Sequence, residues 1–278
     1  MDILKNKNTL FFLGIFIYFI LITSAFFIAQ YSLKSVSLNT QIAEAMTVEG
    51  STDLAIAELL QKLSFSLYEG ATDRVAKHQL LVETANELKN QAKIFTIIFF
   101  IVAAVWLILN FFVSKKEPDQ DRFWRHVLLI SILSLLIGLI APMMQMTAYK
   151  ELPLLGEVVF KYEAKSIFST VQSLFSHGNL IIAGLITLLS IFVPLLKMGV
   201  VSMNLFNVAP TLHKRAHDLI HLLGKWSMAD VFVVAILISI FALDTQDFTR
   251  AESDLGLYFF AAYCLLSLLV THAVLKET

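Results

Sequence analysis

The stretch LIIAGLITLLSIFVPLLKMG, residues 180–199, decides the fold. It is as long as the roughly 20 residues a helix needs to cross a bilayer. Lys197 within it is the only formal charge between Lys165 and Lys214. A central ammonium costs a membrane helix about 2.5–3.5 kcal/mol on insertion scales, so its presence asks for a reason. Ser190, Pro194 and Lys197 recur at i, i+4 and i+7, and Thr187 and Asn204 extend the same helical stripe. Pro194 has no N–H to give the Ser190 carbonyl, which predicts a bend and a carbonyl in need of a new partner. Hydroxyls, a freed carbonyl and an ammonium on one face describe a polar lining. From spacing alone a second account stands beside it, in which Lys197 lies near the cytoplasmic end and snorkels its amine to the headgroups.

The rest of the chain has the same texture. Of 278 residues 57% are hydrophobic and 15% charged, with mean hydropathy +0.74, the composition of a polytopic membrane protein. A formal net charge of −1 gives no electrostatic footing for nucleic acid. The single cysteine, Cys264, excludes a disulfide or a cysteine zinc site within one chain.

Six transmembrane helices are expected, at about 10–29, 94–113, 127–149, 179–206, 229–243 and 257–275. The first reads as an uncleaved signal anchor. Lys115, Lys116, Arg122 and Arg125 follow the second span, Lys214, Arg215 and Lys225 follow the fourth, and Lys5 and Lys7 precede the first. This bias places both termini in the cytoplasm. The outer segment 31–92 is expected as a helical hairpin: Ser51-Thr52-Asp53 caps one helix, Gly70 breaks it, and a second run from Thr72 enters span two unbroken. In 150–177 the runs Gly156–Tyr162 and Ser166–Thr170 are compatible with a small β-hairpin. Pro142 with Gly138 predicts a bend in span three, and Met143, Met144 and Met146 suit core filling. The fold class is therefore all-α and polytopic with a small β element outside the membrane.

After Pro210 an amphipathic helix is expected, with His213, His217 and His221 along one face. A solvated interfacial face explains them, and they are also a weak candidate metal set. Lys225 and the anchor Trp226 lead into Ser227 and Asp230, which form a capping-box-like start for span five. No nucleophile–base pair is visible, although His272 stands near a span end, so an enzyme is disfavoured and no cofactor is implied.

Taken together, Ser190-Ile-Phe-Val-Pro-Leu-Leu-Lys197 and Gly224-Lys-Trp-Ser-Met-Ala-Asp-Val-Phe-Val-Val234 resemble the two signature stretches of the paraquat-inducible protein A family. Residues 120–278 are similar to that family's four-span unit, with Pro142 where the family carries a proline. The resemblance implies a bacterial inner-membrane protein and a bundle with a small outer sheet. It also implies that Lys197, Ser190 and Pro194 lie in the polar interior. Its implied partners are membrane lipids and periplasmic MCE (mammalian cell entry) proteins, which carry lipids between membranes. Typical members have two such units and cysteine zinc ribbons; here a two-span module, residues 1–115, stands beside one unit, which leaves room for a homo-oligomer. The function expected is a component of phospholipid transport between membranes. The alternative is a sensor or scaffold of the envelope stress response acting through the 31–92 hairpin.

Overall fold

The structure, a computed structural model, describes residues 7–47, 69–114, 121–152, 156–206 and 249–276. The order is α1 (Lys7–Ala45), α2 (Glu69–Ser114), α3 (Asp121–Ile140), β1 (Met144–Leu152), β2 (Gly156–Lys165), α4 (Ile167–Ser176), α5 (Leu180–Ile186), a π-helical segment (Thr187–Phe192), α6 (Val193–Leu205), β3 (Thr249–Ser253) and α7 (Leu255–Lys276). Among the described residues five helices are long and apolar enough to cross a membrane: Leu10–Ala45, Ala76–Ser114, Asp121–Ile140, Leu180–Leu205 and Leu255–Val274. The expected span at 229–243 lies outside the described residues, as do the three histidines and Lys225, Trp226, Ser227 and Asp230.

The helix of span one does not stop near Ala29. It continues to Ala45, because no glycine or proline lies between the two. At 1.5 Å per residue α1 is about 58 Å long, close to twice a hydrocarbon core of about 30 Å. Beside it α2 also runs unbroken, with Gly70 in its first turn; the expected helix capped at Ser51-Thr52-Asp53 lies outside the described residues. Ser35 Oγ donates to the Ala85 carbonyl across this pair (3.3 Å), and Phe27 stacks on Phe95 at 5.2 Å.

Span three departs further from expectation. Its helix stops at Ile140 where a bend was expected, and Met144 already begins a strand. Pro142 cannot extend a helix and restricts Ala141 before it, so the chain turns out at this point. Consequently only Met143 of the three methionines is core; Met144 is half-buried and Met146 is exposed. Ser166–Thr170 is not a strand either. Ser166 and Ser169 form a reciprocal capping box that starts α4. β2 instead pairs antiparallel with β1, and β3, from a segment unread as a strand, pairs with the other edge of β1, giving the order β2-β1-β3.

Close backbone contact fixes α3 against α7. A Cβ on Gly138 would stand 2.8 Å from the Phe260 nitrogen, and one on Gly256 would collide with the Ala141 carbonyl oxygen. Asp254 joins this junction to the sheet, accepting from Gln145 Nε2 and from the Leu255 N–H that opens α7. α1 and α2 share a core with α3 and α7: Leu21, Phe99 and Trp106 pack with Ile130, Ile137 and Phe259. The Tyr18 hydroxyl and His126 Nδ1 hydrogen-bond across the same seam at 2.8 Å, with Trp106 edge-on to both rings.

Candidate functional site

Lys197 is 2% exposed on α6, and its Nζ donates to Ser267 Oγ over 2.7 Å. Ser267, itself fully buried, lies near the middle of the 22-residue α7. The amine therefore reaches into the bundle and across to another helix, not along its own helix toward a membrane surface. Below Ser267, Thr271 Oγ1 donates back to the Ser267 carbonyl at 2.6 Å, tying its own hydroxyl to the helix.

α3 adds two fully buried serines, Ser131 and Ser134. Ser131 Oγ donates to Met198 Sδ at 3.7 Å, which places it one residue from Lys197. Ser134 Oγ is buried with no hydrogen-bond partner among the described residues. A buried hydroxyl left unpaired costs about 1–3 kcal/mol, so this one is a feature to explain.

The stripe drawn from sequence divides in two. Pro194 and Lys197 are buried on the inner face, whereas Thr187, Ser190 and Asn204 are half-buried. Thr187 turns its hydroxyl to the Ala183 carbonyl of its own helix (2.7 Å). The bend expected from Pro194 takes the form of a π-helical turn over Thr187–Phe192, in which Val193 N–H reaches back five residues to Leu188. Widening the helix just before a proline accommodates both the missing N–H and the ring's clash with the carbonyl four residues back. Pro142, expected as an interface residue, carries the α3–α7 junction through its carbonyl, which accepts from Gly256 N–H at 2.9 Å.

Ser267, Thr271, Ser131 and Ser134 were not read from sequence as site residues. Their signal was present: small hydroxyls inside runs that are mostly apolar, with Ser267 and Thr271 at i, i+4. No group of three potential metal ligands occurs among the described residues. What the arrangement supplies is an ammonium, hydroxyls and one short donor–acceptor contact inside an apolar bundle, a set suited to an anionic group or a proton.

These features define a multi-pass membrane protein with a small sheet at one end and a hydrogen-bonded lysine buried among its helices. A family model described as Paraquat-inducible protein A matches residues 128–278, more than half of the chain. The chain belongs to the paraquat-inducible protein A family. No curated protein and no solved structure matches it.

Proposed function

We propose that the protein is an inner-membrane component of a system that moves phospholipid between membranes, passing lipid between the bilayer and a periplasmic MCE-type partner. One observation carries this: Lys197, 2% exposed, meets Ser267 in mid-bundle instead of escaping to a surface. An ammonium held there among buried hydroxyls is a group that can meet a lipid phosphate or exchange a proton. Both termini lie in the cytoplasm in this account, and the sheet faces the periplasm. The role is binding and passage, not catalysis.

The test is lipid hand-over from vesicles holding the full-length protein to an MCE-type acceptor. Lys197→Ala inserted at wild-type level is expected to lose the hand-over; full transfer by that variant would overturn the proposal.

A second role, as a sensor or scaffold of the envelope stress response, is favoured by one contact. The outer end of α1 is bonded to the sheet, Val159 N–H donating to the Met46 carbonyl at 2.9 Å. A partner gripping the hairpin would pull on the sheet directly. Replacing residues 48–68 by a short Gly/Ser linker separates the two: a transporter keeps its bound lipid, a sensor loses its response.

A further inference from the structure

Between the outer end of α1 and the sheet lies a cavity of about 220 Å³. Its roof is the α1 stripe Asn39, Ile42, Ala43 and Met46, spaced i, i+3, i+4, i+7. Its floor is one face of the sheet, set by register: Thr147 stands between Tyr162 and Arg250, and Gln145 is opposite Glu252. The apolar run of α1 ends near Ala29, so Asn39 stands about 15 Å further along the helix, outside the hydrocarbon.

The charges in this cavity come as a pair. Arg250 and Glu252 are two residues apart on β3 and so project from the same face, about 7 Å apart. Each is held from the side. The Arg250 guanidinium carbon lies 5.0 Å from the Tyr149 ring centroid, and Lys89 Nζ contacts Glu252 Oε2 at 3.3 Å. Tyr162 adds no charge. Burial, with help from the Asp254 and Glu252 carboxylates, pushes its hydroxyl up to about 12, although Asn39 close by works the other way. Asn39 and Thr147 supply neutral hydrogen-bonding groups, and Ile42, Ala43 and Val159 an apolar wall.

We propose that this cavity binds a small zwitterion of the phosphoethanolamine kind, its phosphate against Arg250 and its ammonium against Glu252. A guanidinium matches a phosphate, a carboxylate matches an ammonium, and the volume admits a headgroup but not its acyl chains. The site stands whether or not Lys197 carries lipid.

The test uses the full-length protein in nanodiscs of phosphatidylglycerol, titrated calorimetrically with glycerophosphoethanolamine. Glycerophosphoglycerol, an anion only, and ethanolamine, a cation only, serve as controls. Saturable binding of the zwitterion is expected, weakened at least about tenfold by Arg250→Gln, by Glu252→Gln, and by Ala43→Leu, which fills the cavity without touching a charge. Adding phosphatidylethanolamine to the discs decides the source. Competition identifies the ligand as a membrane lipid's headgroup, and undiminished binding identifies a soluble zwitterion; either result supports the site. Absence of saturable binding, equal affinity for the singly charged controls, or indifference to all three substitutions in protein of unchanged helix content would overturn it.

Discussion

Lys197 and Ser267, seventy residues apart in sequence, are joined by a 2.7 Å hydrogen bond between two buried side chains of different helices. The bond makes α6 and α7 one polar unit inside an apolar bundle. It also means that the lysine's stability and its function can be separated by mutation.

Ser267→Ala removes one acceptor from the buried ammonium, and is expected to destabilise the bundle by about 1–3 kcal/mol. Lys197→Met, apolar and of similar length, should recover that loss or exceed wild-type stability. Unfolding midpoints in detergent, followed by intrinsic fluorescence, check the order. A Lys197→Met protein less stable than Ser267→Ala would mean that the ammonium holds the bundle together.

Ser134 is a second buried hydroxyl whose role mutation can separate. Its hydroxyl is buried without a partner among the described residues, so Ser134→Ala should leave stability unchanged or raise it by up to about 1 kcal/mol. If the hydroxyl serves the proposed passage, lipid hand-over falls in the same variant. A stability loss of more than about 1 kcal/mol would place Ser134 among the structural residues instead.

The α3–α7 junction should tolerate nothing larger than hydrogen at two positions. Gly256→Ala drives a methyl against the Ala141 and Pro142 carbonyl oxygens, and Gly138→Ala drives one against the Phe260 backbone. Backbone cannot move aside as a side chain can, so each is expected to cost about 1–3 kcal/mol or more. Thermal unfolding in detergent measures it; a wild-type midpoint for Gly256→Ala would contradict the packing described.

Outside the membrane, Tyr162 sets an alkaline limit on the sheet. Burial raises its hydroxyl from 10.0 to about 12, so between those values the unfolded chain gives up a proton that the folded one keeps. The stabilisation is whole below pH 10 and disappears as pH climbs toward 12. Tyr162→Phe should flatten this part of the stability profile, and phenolate absorbance should show one tyrosine fewer titrating late. Glu163 works in the opposite sense. Hydrogen bonds from Lys165 and Lys161 hold it below the usual carboxylate range, so its contribution is present at neutral pH and lost on acidification.

Much of this was legible because lipid enforces simple rules. Runs of about 20 apolar residues mark spans, and Lys197 stands out as a lone charge. Where the chain leaves lipid the rules change. Residues 141–149 continue the apolar pattern of span three, yet Pro142 ends the helix and strand pairing claims Met144 onward, a choice fixed by β2 and β3 far away in sequence. Ser166–Thr170 looks like a strand by composition, but two serines at capping-box spacing decide for helix. The serines around Lys197 escaped notice because one hydroxyl in a membrane helix can satisfy itself on its own backbone, as Thr187 does. Only the approach of α3, α6 and α7 tells Ser267 apart from Thr187.

The most direct test of the central claim is the phospholipid bound per protein after purification, counted by native mass spectrometry for wild type, Lys197→Ala and Lys197→Arg. The account predicts lipid retained by wild type, reduced about tenfold or more in Lys197→Ala at unchanged helix content, and partly restored by Lys197→Arg. Equal lipid in all three proteins would contradict it.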